Sequence, residues 1–102
     1  MGGKRIFTSE FKKESASLVL DTEYSIQQAS EAMDVSESAM RRWVKQLKAE
    51  RGGQTPTNSQ AITSEQQQIQ ALQKQVRKLE REKEILKKAS ALLMLDMYQS
   101  TP

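Results

Sequence analysis

The sequence predicts an all-α protein in two parts: an N-terminal three-helix domain with a helix-turn-helix, then a flexible linker and one long helix forming a parallel dimeric coiled coil. Three observations carry that reading. Apolar residues recur at helical spacing in both halves of the chain, and no run alternates as a half-buried strand would. A polar stretch rich in helix breakers, Gly52-Gly53 followed by Gln54-Thr55-Pro56-Thr57-Asn58-Ser59-Gln60, interrupts that spacing. Further on, Leu72, Leu79, Leu86 and Leu93 stand at every seventh position. The implied divisions are 1–51 for the first domain, 52–63 for the linker, 64–97 for the zipper helix and 98–102 for a tail.

Each N-terminal element has its own signals. Thr8 or Ser9 can cap a first helix running to about Thr22, with Phe11 and Leu18 on one face, Val19 at its flank and Leu20 on the opposite side as an isolated exposed leucine. Ser25-Ile26-Gln27-Gln28 has the form of a capping box and opens a short helix that turns Ile26, Ala29 and Met33 inward. At Asp34-Val35-Ser36, Asp34 suits a left-handed turn, Val35 can plug the core and Ser36 can cap a third helix reaching about Glu50. On that helix Met40, Trp43, Val44 and Leu47 share one arc, while Ser38, Arg42, Lys45 and Ala49 face away with Arg41 at the flank.

Composition narrows the chemistry. With 36% hydrophobic and 28% charged residues in 102, the chain is too sparse in apolar surface for one compact globule. It has no cysteine and no histidine, which removes disulfides, thiolate metal sites and the commonest general base. No catalytic residue, metal site or cofactor is therefore expected. The longest apolar run, Ala91 to Leu95, is far short of the roughly 20 residues that span a bilayer, and the N-terminus lacks an apolar signal segment. A soluble, cytoplasmic protein with no membrane partner is the expectation.

The net charge of +3 permits a nucleic-acid partner, and its placement favours one. Residues 1–53 carry nine basic and eight acidic side chains, yet Arg41 to Arg51 holds Arg41, Arg42, Lys45, Lys48 and Arg51 against Glu50 alone. Two helices joined by a short turn, the second with a buried stripe and a basic outer face, match the helix-turn-helix that reads double-stranded DNA. Ser36, Glu37 and Ser38 stand where a reading helix first meets base edges, and Ser38, Arg41 and Arg42 are the expected base contacts. Lys45, Lys48 and Arg51 lie toward the far end of the helix and suit phosphates. Basic residues there would equally suit the helix macrodipole or a solvated face. Trp43 could stack on a base, but its spacing to Met40, Val44 and Leu47 assigns it to the core.

A second capping box, Thr63-Ser64-Glu65-Gln66, starts a helix with no glycine or proline to about Met97. With the leucines at heptad position d, position a holds Ile69, Val76, Lys83 and Ser90, so the pairing seam is Ile69, Leu72, Val76, Leu79, Lys83, Leu86 and Leu93. β-Branched residues at a with leucine at d favour a parallel dimer, and Lys83 costs stability while fixing register. Glu82 at position g can meet Lys87 at position e of the partner. After Leu86 the additional apolar Ile85, Ala89, Leu92, Met94 and Leu95 exceed what one seam can bury, so a further protein contact is expected there, the alternative being a helix end that frays or packs back on the N-terminal domain.

Phe7-Thr8-Ser9-Glu10-Phe11-Lys12, the stretch from Ala29 to Trp43 and Glu84-Ile85-Leu86-Lys87-Lys88-Ala89 resemble the first-reading-frame product of bacterial insertion-sequence transposases. More narrowly, Arg42-Trp43-Val44-Lys45-Gln46-Leu47 and Ala91-Leu92-Leu93-Met94 resemble the OrfA proteins of the insertion sequence three family. The resemblance implies a polypeptide that binds terminal inverted repeats and multimerises. A second frame, joined by a programmed frameshift, would supply a magnesium-dependent catalytic domain. By that reading the chain is no enzyme alone but an accessory or regulatory protein near the bacterial nucleoid. Its partners would be itself, as homodimer or higher multimer, and the frameshifted full-length transposase. Asp34 departs from the family, where many relatives place glycine in the turn.

Two other functions fit the same parts, a dimeric helix-turn-helix transcription repressor and a coiled-coil interaction protein that does not touch DNA. A repressor dimer needs rigid spacing near one helical turn, about 34 to 36 Å. A flexible linker of this length reaches roughly 17 to 20 Å per arm, which suits two separately held DNA ends.

Overall fold

The computed structural model describes residues 5–99. Those residues form four α-helices and no strand: α1 (Ser9–Asp21), α2 (Ile26–Met33), α3 (Glu37–Arg51) and α4 (Ser64–Gln99). Two units divide the chain, residues 1–69 and residues 70–102. The zipper helix continues past Met97 to Gln99, so the expected tail begins as helix, and residues 100–102 lie outside the described residues.

Local chemistry explains where the helices start. Thr8 rather than Ser9 caps α1, its side chain accepting the Phe11 N–H at 3.0 Å. Both halves of the capping box form at Ser25, which accepts the Gln28 N–H at 3.1 Å and donates its own N–H to Gln28 Oε1 at 2.9 Å. Ser36 caps α3 by accepting the Ala39 N–H at 3.1 Å.

The two middle helices end alike. At α2, Asp34 N–H reaches Glu31 O at 3.3 Å and Val35 N–H reaches Ser30 O at 2.9 Å, a Schellman motif with Asp34 left-handed at φ 56. At α3, Gly53 N–H reaches Glu50 O at 2.9 Å and Gln54 N–H reaches Ala49 O at 3.1 Å, with Gly53 at φ 94. Glycine has no Cβ penalty in that conformation, whereas Asp34 carries one. The Arg5 guanidinium donates to the Asp34 carbonyl and lies 3.7 Å from its carboxylate.

The core of the first unit is Ala16, Ala29, Ala39, Met40, Trp43, Leu47 and Ile62, flanked by Phe7, Phe11, Leu18, Val19, Ile26, Met33, Val35 and Val44. Phe7 and Phe11 stack with centroids 5.3 Å apart and both meet Trp43 in a T-shaped arrangement, at 5.0 and 6.0 Å. Trp43 is therefore core, and such arrangements add about 0.5 to 1.5 kcal/mol per pair beyond area burial. Leu20, expected to be an isolated exposed residue, is half-buried and packs against this core. The fully buried positions of α1 are instead Ser15 and Ala16, two small residues.

The second half of the expected linker is not a loose tether. Ala61, Ile62 and Thr63 are buried, and Asn58 adopts a left-handed turn at φ 62 within Pro56–Ser59. The N–H groups of Ile62 and Thr63 donate to the Glu50 carboxylate at 2.9 to 3.1 Å. The Thr63 capping box is correspondingly half local: Thr63 Oγ1 accepts the Gln66 N–H at 3.3 Å, while the Gln66 side chain turns to Thr55. Glu50, thirteen residues earlier in the chain, takes the Thr63 N–H that Gln66 would have taken.

Ser15 Oγ is buried without a hydrogen-bond partner among the described residues. An unsatisfied buried hydroxyl costs about 1 to 3 kcal/mol, and alanine is the better helix former. Ser15→Ala should raise stability in chemical denaturation by about 1 kcal/mol; a loss would show that the hydroxyl is satisfied.

Candidate nucleic-acid interface

The turn at Asp34 and the cap at Ser36 set α3 on the first unit with Ala39, Met40, Trp43 and Leu47 inward. Glu37, Ser38, Arg41, Arg42, Lys45 and Lys48 remain exposed. Ser36 is exposed too, but its oxygen is already the acceptor of the cap. At the start of the helix Arg41 Nη2 lies 3.3 Å from Glu37 Oε2, an exposed pair one turn apart that contributes only a few tenths of a kcal/mol and can reopen for another acceptor.

Arg42 and Lys45 lie side by side on a shallow cleft of about 320 Å³, with Lys12 of α1, Trp43, Gln46, Pro56 and Ser59 as its other walls. Lys12 is a cation that sequence reasoning left unassigned. The available signal was its place one turn before Ser15 and Ala16, which puts it at the rim of the α1–α3 contact. The cleft gathers three cations from two helices, as phosphate positioning requires.

Arg51 is placed differently from the other cations. Its guanidinium donates to both carboxylate oxygens of Asp21 at 2.6 Å, tying the end of α3 to the end of α1. The paired hydrogen bonds hold the Asp21 carboxyl below its ordinary value of 3.8 and raise Arg51. Arg51 is thus engaged within the fold, leaving Lys12, Arg41, Arg42, Lys45 and Lys48 as the cations of this face. Glu50 also departs from its apparent place in the basic run, since it is 4% exposed and turned inward.

In the second unit the described part of α4 is exposed from Ala71 onward. Seam positions Ile69, Leu72, Val76, Leu79, Leu86 and Leu93 are between 41% and 68% exposed, and Lys83 is exposed with them. Ile85, Leu92, Met94, Leu95, Met97 and Tyr98 add further exposed apolar area toward the end of the helix. Among the described residues no helix is long and apolar enough to cross a membrane, and no acidic group cluster could hold a metal ion.

Residues 1–89 match the helix-turn-helix family described as "Transposase". The chain belongs to that transposase family. Its OrfA-type resemblance is borne out by relatives from Escherichia coli (strain K12). One, named as a transposase, InsN, for insertion sequence element IS911A, is 54% identical over 87 residues, covering 85% of this chain and 64% of the relative. Its counterpart for IS911B is 53% identical over 85 residues, covering 83% of this chain and 96% of the relative. A third, named as the transposase YkgN, is 32% identical over 90 residues, covering 88% and 75%. The chain therefore spans about two thirds of the IS911A protein's length. No solved structure matches.

The Asp21–Arg51 pair gives a pH signature. Because the folded-state value of Asp21 is depressed, its stabilisation is present above the ordinary carboxylate value and is lost as pH falls through the folded value. Stability measured from neutral pH down through the carboxylate range should fall more steeply for the parent than for Asp21→Asn. Parallel curves would mean that the pair contributes nothing.

Proposed function

We propose that this protein is the sequence-specific DNA-binding subunit of a bacterial insertion-sequence transposase, recognising terminal inverted repeats and multimerising through a leucine zipper. The single observation that supports this most is the division of α3 into a buried Trp43 stripe and an exposed basic face bordering the Lys12–Arg42–Lys45 cleft. Ser38, Arg41 and Arg42 are the proposed base readers, with Ser36 and Glu37 at the same helix end. Lys45, Lys48 and Lys12 are the proposed phosphate contacts, and Arg51 contributes by holding α3 in place. The exposed heptad seam supports pairing with a second copy, or with a frameshifted full-length transposase sharing the same helix. The subunit assists or regulates transposition in the cytoplasm and leaves the chemistry to that partner.

With Ile62 and Thr63 held by Glu50, the linker does not favour this reading over the repressor alternative, and the preference for transposition rests on the family and its relatives.

Neutralising three to four phosphates per head gives a slope of log affinity against log salt of about −2.7 to −3.6. Arg41→Ala with Arg42→Ala should abolish discrimination between specific and random duplex, and Lys45→Ala should weaken both equally. A salt-insensitive complex, or none, would leave the coiled-coil interaction protein as the reading. Leu79→Ala with Leu86→Ala should give monomers by sedimentation and weak duplex binding; dimers would place the pairing interface elsewhere.

A further inference from the structure

We infer that Glu50 is a positioning residue: its buried carboxylate fixes the start of α4 on the three-helix unit and so sets the spacing at which two paired chains present α3. The inference rests on the reading of the protein as a paired DNA binder.

Glutamate is rarely buried unless its charge is compensated, and Glu50 is 4% exposed with no cation among the described residues bonded to it. What surrounds it is a ring of donors. Gln46 Nε2 donates to it at 2.7 Å, Ile62 N–H to both oxygens at 3.1 Å, and the Thr63 N–H and hydroxyl each at 2.9 Å. Two of these are backbone donors at the entrance to α4, where the helix dipole also favours an anion. A carboxylate is the side chain that accepts from all of them without presenting a donor of its own. Glutamine at this position would turn an NH₂ toward N–H groups.

The carboxylate therefore couples the last turn of α3 to the N-cap of α4. Gln46 strengthens the joint by donating to the Gln60 carbonyl at 2.8 Å, and Thr55 reaches Gln66 at 3.2 Å across the same region. α4 is one unbroken helix from Ser64, and its first heptad position, Ile69, lies within two turns of Thr63. A hold on Thr63 is a hold on where the seam begins. Its sequence cue, a lone acid in a basic run, resembles ordinary charge balancing; burial distinguishes it.

The chain has no cysteine, so paired spin labels can be introduced at Ala32→Cys on α2 and Gln68→Cys on the first turns of α4, both exposed and outside the seam. In the full chain, diluted with unlabelled protein so that only distances within one chain are read, the parent should give a single narrow distance. Glu50→Gln should broaden it at least twofold, while Thr63→Ser, which keeps the hydroxyl, should not. Should Glu50→Gln lose helical content, Thr63→Val removes one donor from outside the three helices and should broaden the distance in the same way. A broad parent distribution, or variants as narrow as the parent, would overturn the joint.

The second readout is duplex DNA carrying two copies of a site selected by the protein itself, moved apart in single base pairs over one helical turn. The parent's affinity should vary at least tenfold with spacing. Glu50→Gln should flatten this below threefold and leave binding to a single copy within twofold. Unchanged spacing dependence would overturn the positioning role. Failure to select any duplex would overturn the DNA-binding reading and the spacing role with it, while the distance measurement still decides the joint.

Discussion

The T-shaped packing of Phe7 and Phe11 against Trp43 is the contact on which the first unit depends. A unit this small has few large apolar side chains to bury, and the buried ones reduce to Met40, Trp43, Leu47 and Ile62. Three of the four sit on α3, so the same helix supplies most of the core and the proposed reading face. Truncating a buried tryptophan costs about 3 to 5 kcal/mol, comparable with the whole stability of a small domain. The outward side chains of α3 are consequently free to vary for recognition only because the inward ones are fixed.

The small residues complete that arrangement. Ser15 and Ala16 are fully buried on α1, and Ala29 and Ala39 are buried on α2 and α3. The Arg51 guanidinium reaches both oxygens of Asp21 from the far end of α3. The last turn of α3 is thereby committed twice, with Arg51 directed to α1 and Glu50 to the chain entering α4. Neither residue belongs to the solvent-facing charge pattern that their positions in the sequence suggest.

What was legible in the sequence is what is decided locally. The caps at Thr8, Ser25 and Ser36 depend on side chains within three residues of the groups they satisfy, and helix class, helix ends and the Trp43 stripe followed from them. The left-handed turn at Asp34 was readable for the same reason. Misreadings arose where distant elements compete for a group. Leu20 lies opposite the Phe11–Leu18 stripe of an isolated helix, but the core reaches further around α1 than one stripe. Gln66 looked like the partner of the Thr63 N–H until Glu50, from another helix, took it. The linker looked free because its composition is polar, although its last residues, Ala61 and Ile62, are apolar enough to be buried. In the candidate site, the cations of α3 were legible from their spacing, whereas Lys12 joins them only through the crossing of α1 over α3.

The helix that carries the seam is uneven in the same physical sense. Its first turns are held by bonds to Thr63 and Gln66, and the first two heptads offer Ile69, Leu72, Val76 and Leu79. In the next two, the positions between the leucines are Lys83 and Ser90, which cannot contribute comparable burial. Pairing through this seam would draw most of its stabilisation from the heptads nearest the joint in sequence. The later leucines stand beside Ile85, Leu92 and Met94, apolar on flanks that a two-stranded coil leaves in water. An early seam suited to pairing with a second copy and a late apolar surface broader than one seam are therefore different in kind, because a narrow a/d stripe can fix register whereas a broad apolar face cannot.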